Sequence, residues 1–323
     1  MLKLPSLKKW KTACIALASL TLLMGTSPAQ AEESQTDGMT LFKEAYLAEP
    51  ESNRIMDLSI DFFGPEAHLD LDAKMQMLTA KSMCWDGRAI FDFTNPDTKE
   101  TTSLNVPFYL DMQDNSLTFY TKLGDQWSKL GIQGLPAELV SSGQAVNEES
   151  LANLLSLVKS VNIIKETDKL QAMQVKLDAS KLTQFIKDFD ARQEAASAST
   201  PSLSPELLDS LISYVQGQEL VVDWIVDRNT HETITTSIDF TPLMRAYAQG
   251  ALDAMAKGKV TFTQDQIKAL ESLGYFSELK FYLTTSAPVQ GQVLSIPKDV
   301  RKAAAQSPFM IDISESLTPP EKK

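Results

Sequence analysis

From Met56 onward, apolar residues fall on every second position. Met56, Leu58, Ile60 and Phe62 are separated by Asp57, Ser59 and Asp61. After the turn pair Gly64-Pro65, Leu69, Leu71, Ala73, Met75 and Met77 alternate with Asp70, Asp72, Lys74 and Gln76. Successive side chains of a strand point to opposite faces, so each run predicts a strand with one dry and one wet face. That pattern belongs to an antiparallel sheet covered on one side. Ala89, Phe91 and Phe93 continue it, then Leu104, Val106, Phe108, Leu110 and Met112. Asp114-Asn115 suits a two-residue hairpin turn, Leu117, Phe119 and Thr121 follow, and Trp127 to Leu130 adds a short strand after Gly124-Asp125. Residues 54–132 thus predict a meander of about six strands.

The second half mixes periods. Asn147 is placed to cap a helix over 148–159, with Leu151, Leu154, Leu155 and Val158 on one face. Leu170 to Leu177 reads as a strand, and Leu182, Phe185, Ile186 and Phe189 have helical spacing. Residues 193–204, rich in Ala, Ser, Thr and Pro, read as a flexible loop. Ser204 caps the next helix, with Pro205 at its first position and Leu207, Leu208, Leu211, Ile212 and Val215 inward. Leu220, Val222, Trp224 and Val226 alternate, as do Ile234, Thr236, Ile238 and Phe240, joined by a tight turn over Asp227 to His231. Thr241-Pro242 opens a helix carrying Leu243, Met244, Tyr247 and Ala251 and ending near Gly258. Thr263 and Gln266 form a capping box for a short helix stopped by Gly274. Leu279, Phe281 and Leu283 mark a last long strand, and Ile296-Pro297 opens a short helix through Val300 and Ala304. Runs of strands beside runs of helices give the α+β class. The simplest architecture is a one-sided sheet with short amphipathic helices on its dry face.

The first 31 residues stand apart from this fold. Lys3, Lys8, Lys9 and Lys11 precede an apolar stretch from Ala13 to Met24, and Ala29-Gln30-Ala31 is a small-x-small cleavage site. This three-part pattern predicts a secretory signal peptide and an extracytoplasmic chain, periplasmic or secreted, because the apolar stretch falls short of the roughly 20 residues of a membrane span. Cys14 lies inside the apolar stretch and not at the cleavage point, so it is no lipidation site. The expected organisation is a signal at 1–31, a helical segment at 32–53, one α+β domain over 54–314 and a disordered tail at 315–323. Residues 1–31 hold four Lys and no acid, so the remainder carries 26 cations against 42 acids, a net charge of −16. Such a balance argues against binding to a nucleic-acid backbone. Cys84 alone is left after cleavage, which excludes an intrachain disulfide; its apolar neighbourhood reads as a small buried hydrophobe.

Catalytic and metal-binding signatures are sparse. The two histidines, His68 and His231, fall at a strand start and in a turn, and both read as surface residues. Gly131-Ile132-Gln133-Gly134 lacks the spacing and the following Lys of a phosphate loop. There is no G-x-S-x-G elbow and no calcium-loop pattern around Asp92 to Asp97. Asp70 and Asp72 share a strand face, as any wet face would place them. These readings imply no cofactor and no enzyme chemistry. The dry face is instead rich in Met, a flexible and polarizable side chain that suits core filling as well as a surface accepting varied apolar shapes.

Short motifs add a family resemblance. Tyr120-Thr-Lys122-Leu-Gly124-Asp-Gln-Trp127-Ser-Lys129 resembles the strand–turn–strand Y-x-K-x-G-x-x-W-x-K of LppX/LolA-like envelope proteins. Asp227-Arg-Asn-Thr230, leading to Ile238-Asp239, is similar to their second-half hairpin, and Ile296-Pro297-Lys-Asp-Val300-Arg-Lys-Ala303 resembles a C-terminus of relatives of that group. The match runs in order over about residues 54–305. The resemblance implies an antiparallel half-barrel wrapped over helices, and a non-enzymatic carrier or chaperone for an acyl chain, lipid or acylated protein. The chain departs from the group in lacking a lipobox and in carrying the 193–204 insertion. The expected cavity lining is Leu69, Leu71, Met75, Met77, Phe91, Phe108, Phe119, Trp224 and Phe281, with the helix at 242–257 as the element that lifts to admit a guest. The competing expectation is an envelope interaction or sensor module, binding a protein partner or filled by its own side chains.

Overall fold

Twelve strands form one sheet in the computed structural model, which describes residues 37–48, 54–79, 82–95, 98–113, 116–133, 148–185, 187, 204–286, 293–304 and 308–312. The first half is the meander that the alternation predicts: β1 (Ile55–Phe63), β2 (Ala67–Thr79), β3 (Ser82–Thr94), β4 (Thr101–Gln113), β5 (Ser116–Leu123) and β6 (Gln126–Gln133). A helix α1 (Gly38–Leu47) precedes it. Then come α2 (Glu148–Leu157), β7 (Val158–Glu166), β8 (Leu170–Asp178), a helix α3 over 179–185, α4 (Pro205–Tyr214), β9 (Glu219–Asp227) and β10 (Thr233–Asp239). The chain continues through α5 (Thr241–Ala256), α6 (Gln264–Tyr275), β11 (Glu278–Thr285), α7 (Lys298–Ala304) and β12 (Pro308–Asp312). The 114–115 turn, Asn147, Ile186, Phe189, most of the 193–204 loop, the 1–31 segment and the 315–323 tail lie outside the described residues.

The strand order is β12-β6-β5-β4-β3-β2-β1-β11-β10-β9-β8-β7, so the sheet is open and belongs with its helices to the α+β class. Ten strand pairs are antiparallel, and β12 runs parallel beside β6. The late strand β11 sits between β1 and β10 and joins the two halves. Register then lines up a single apolar rung: Val106, Ala89, Leu71, Ile60, Phe281, Ile238, Val222, Val175 and Val161 face one another across β4 to β7. A slip of one residue at any strand would turn its apolar set outward, which is why register is so well determined here.

Local signals set the helix ends. Asp37 accepts from Thr40 N at 2.7 Å and caps α1. Ser204 caps α4 with Pro205 in the first turn, and Thr263 and Gln266 form the reciprocal capping box of α6. Asp178 Oδ1 accepts from Ser180 N at 2.9 Å and Ser180 Oγ at 2.6 Å at the start of α3, bonds that hold its carboxyl below the usual range. Leu41, Phe42 and Tyr46 of α1 enter the core, where Phe42 meets Trp224 edge-on at 5.7 Å. A Cβ on Gly38 would stand 2.4 Å from Val161 O, so α1 approaches β7 only because that position is glycine.

Several expectations need correcting. The helix over 148–159 stops at Leu157, and Val158 opens β7 opposite Leu177. β8 offers a free edge there, and pairing overrides a weak helical periodicity. β3 extends back beyond Ala89 to Ser82, with Met83 and Trp85 on the same face as Ala89 and Gly87 between them. Gly274 lies in the last turn of α6, which ends one residue later at Tyr275; a Cβ there would make an ordinary contact, 3.5 Å from Gln249 Cγ. The sheet is also not one-sided. Residues 293–304 cross its outer face and bury Cys84 and Tyr120 under Ile296, Val300 and Ala304. Leu294 N donates to the fully buried Gln76 Oε1 at 2.6 Å, and Arg301 Nη2 to Asp111 Oδ2 at 3.2 Å.

Two substitutions test this architecture. Arg54, just before β1, pairs with Glu232, just before β10, at 2.5 Å, with side chains only 14% and 5% exposed. Arg54→Ala would remove the cation beside this buried carboxylate, leaving it Thr230 Oγ1 as a donor at 3.2 Å, and is expected to cost about 3–5 kcal/mol in denaturant unfolding. At Gly87, a Cβ would stand 2.4 Å from Phe108 Cζ and 2.9 Å from Asp72 O. The ring can turn but the backbone oxygen cannot, so Gly87→Ala is expected to destabilise by about 1–3 kcal/mol. A neutral result for either would show that the interior gives way at that point.

Candidate functional site

The inner face divides into a roofed half and an open half. Over β7 to β11 lie α1, α2, α3 and α5. There Met173, Val175, Trp224 and Val226 are buried, and Trp224 Nε1 donates to Thr233 Oγ1 at 3.0 Å. α5 itself is enclosed by the sheet, α4 and α6, with Leu243, Ala246, Ala248, Ala251 and Ala254 buried. A Cβ on Gly250 would meet Tyr214 Cβ at 3.0 Å. Tyr247 hydroxyl lies 2.7 Å from Thr183 Oγ1, tying α5 to α3, and burial pushes the Tyr247 phenol up. Helix α5, the helix expected to be able to lift off over residues 242–257, is packed through its small residues between three neighbours.

Across β1 to β5 the inner face is different. Phe62, Leu69, Leu71, Trp85, Phe91, Val106, Leu110 and Phe119 are only half-buried. Phe93 and Leu104 stay 40% and 41% exposed. Phe91 lies in register between Leu69 and Leu104, and its ring stacks on Phe93 at 6.4 Å and 3°. Phe108 and Phe119 meet at 5.8 Å. Two polar atoms are buried in this face without a partner among the described residues, Trp85 Nε1 and Thr121 Oγ1. An indole N–H only donates, whereas a hydroxyl donates or accepts. The face is thus apolar and aromatic, with these two polar atoms covered beneath it.

Eight of the nine residues expected to line a cavity share this inner face and one apolar cluster: Leu69, Leu71, Met75, Phe91, Phe108, Phe119, Trp224 and Phe281. They split by depth. Met75, Phe108, Trp224 and Phe281 are buried in the packed core, whereas Leu69, Leu71, Phe91 and Phe119 are half-buried on the open half. Met77 takes its register position opposite Met83, and its side chain lies outside the described residues. Phe62, Phe93, Leu104, Trp85 and Thr121 were not singled out. The first three sit on the same parity as their chosen neighbours, so the alternation carried the signal.

The outer face holds charge. His68 Nε2 lies 3.0 Å from Asp61 Oδ1 and its Nδ1 3.6 Å from Asp92 Oδ2, while Ser103 Oγ also donates to Asp92. Asp70 pairs in register with Asp61, and Asp72 faces Arg88 at 3.7 Å. His231, expected at the surface, keeps only 12% side-chain exposure beside Glu44 and takes a left-handed φ of 57° in its turn. Among the described residues no three His, Cys, Asp or Glu side chains are grouped to hold a metal ion. Cys84 is buried as expected, and burial together with Asp111 and Asp86 pushes its thiol up to about 11.

No known protein-family model matches the chain, and no curated protein matches it. No helix among the described residues is long and apolar enough to cross a membrane. The thiol yields a check on the outer cover. In folded protein, Cys84 is expected to react with a maleimide at least about a hundredfold more slowly than in urea, read by mass spectrometry, because the thiolate is scarce and shielded. Equal rates would mean that the 293–304 arm does not seal the outer face.

Proposed function

We propose that the protein is a non-enzymatic extracytoplasmic carrier or chaperone that shelters an acyl chain, as a lipid or as part of an acylated protein, on the open half of its inner face. The observation that carries this reading is the half-covered aromatic surface of β1 to β5, with Phe93 and Leu104 exposed beside half-buried Leu69, Leu71, Phe91 and Phe119. A contiguous exposed apolar surface is unusual on a protein without a partner for it. Each buried CH₂ contributes about 0.8 kcal/mol, so about ten methylenes supply up to about 8 kcal/mol before entropic losses. The resemblance to LppX/LolA-like envelope proteins supports the same reading, with the sheet as their half-barrel. Its motifs fall on hairpin turns: Tyr120 to Lys129 spans the β5–β6 hairpin, with Gly124 at φ 65°, and Asp227 to Thr230 forms the β9–β10 turn.

One observation favours an interaction module without cargo. The roofed half is filled by its own side chains, and α5 is held on three sides. The two readings separate in solution. Native mass spectrometry with lipid extraction should find co-purifying lipid, and a fluorescent fatty acid should bind. Phe91→Glu and Leu104→Glu, each placing a charge on the open face, are expected to weaken that binding at least about tenfold while leaving the fold intact. Bare protein that takes up no fatty acid would leave the module standing in place of the carrier.

A further inference from the structure

The outer face of the sheet is acidic, and the arm laid across it is basic. Helix α7 of that arm carries Lys298, Arg301 and Lys302 against Asp299, in a chain whose net charge is −12. One polar fastening stands near each end of the arm. Leu294 N donates to Gln76 Oε1 of β2 at 2.6 Å, and Arg301 Nη2 to Asp111 Oδ2 of β4 at 3.2 Å. Between them Ile296 and Val300 are 4% and 3% exposed. With Ala304 they cover Cys84 and Tyr120, and Tyr109, Trp127 and Leu78 pack at the margin.

This cluster is separate from the main core. The main core fills the inner face, and none of its residues comes from the arm. Strands β2 to β6, which lie beneath the arm, pair with one another in register along their own ladders. After the arm, β12 joins the sheet as its outermost strand, through a parallel ladder to β6, and parallel pairing is the weaker kind. Lifting the arm therefore costs the small outer cluster and its fastenings, and leaves the inner core and the antiparallel ladders in place. A segment held in this way opens locally at a free energy below that of global unfolding.

We propose that residues 293–304 are a releasable strap. The arm undocks from the outer face as one unit while the inner core stays folded, and it gates the strip of Cys84, Tyr109, Tyr120 and Trp127 beneath it. Register places Asp86 opposite Tyr109 and Asp111 opposite Cys84, so the strip is aromatic and acidic. The arm matches it on both counts, with Ile296 and Val300 against the rings and Arg301 against a carboxylate. Because cations of the arm lie on an acidic face, salt loosens the strap. No property of the inner face enters, so the strap stands apart from the proposed carrier function.

The test is maleimide labelling of Cys84 in the full chain at rising urea below the unfolding midpoint, read by mass spectrometry on the Cys84 peptide. Hydrogen exchange is followed in the same samples. Labelling through the strap should rise less than about threefold up to half the midpoint concentration, because local opening exposes little surface. Amides of 293–304 should exchange well ahead of those of β8 and β9. Arg301→Ala should speed labelling about fivefold, the loss of one partly exposed ion pair, and Arg301→Lys should speed it less. Salt at about 0.5 M should speed wild type about twofold. Labelling that tracks global unfolding, with arm and β8–β9 amides exchanging together, overturns the proposal and makes the arm part of one cooperative core. Labelling ahead of unfolding that Arg301→Ala leaves unchanged overturns it too, since the thiol is then reached without lifting the arm. So does an Arg301→Ala variant whose β8 and β9 amides are deprotected as much as its arm.

Discussion

The structure depends on the burial of a single dry face shared by strands from both halves of the chain. The rung from Val106 to Val161 is the clearest sign of it, because strands far apart in sequence place apolar residues at one level. β11 makes this possible by joining β1 to β10. The helices then lie over β7 to β11, where burial of Trp224, Met173 and Val175 supplies the dense packing. Apolar area on β1 to β5 exceeds what those helices cover. Among the described residues, the open surface follows from more apolar sheet than the helices cover, and the proposed function starts from it.

The outer face follows a different logic. Acidic side chains dominate it, with His68 and Arg88 among them, except where the 293–304 arm seals a patch over Cys84 and Tyr120. That arm satisfies Gln76, a polar residue buried in the middle of β2, through Leu294 N. A buried amide is costly unless bonded, so this bond fastens the arm to the sheet at Gln76. Burial under it raises the Cys84, Tyr109 and Tyr120 groups together, the common cause being lost solvation.

Much of this was legible from the residues. The alternation over Met56 to Leu130 yields six neighbouring strands in order and the correct shared face for Leu69, Leu71, Phe91 and Phe119. Caps at Ser204 and Thr263 stand where their side chains predict. The start of β7 was hidden because Val158 continues the helical spacing of Leu151, Leu154 and Leu155, and only the free edge of β8 decides the contest. The outer arm was hidden because Gln76 and Cys84 carry no mark of what covers them. Depth was hidden too: Trp224 and Phe119 read alike along the chain, yet one is core and the other lies on the open half.

By itself the sequence determined most of the strands, β7 and β12 excepted, their dry face, and where the capped helices begin, because periodicity and capping act within a few residues of chain. Only the tertiary structure decided which strands became neighbours, where the helices lay and which part of the dry face was left open. Those outcomes depend on contacts between residues far apart in the chain, such as Ile60 with Phe281 and Gln76 with Leu294, and no local pattern encodes them.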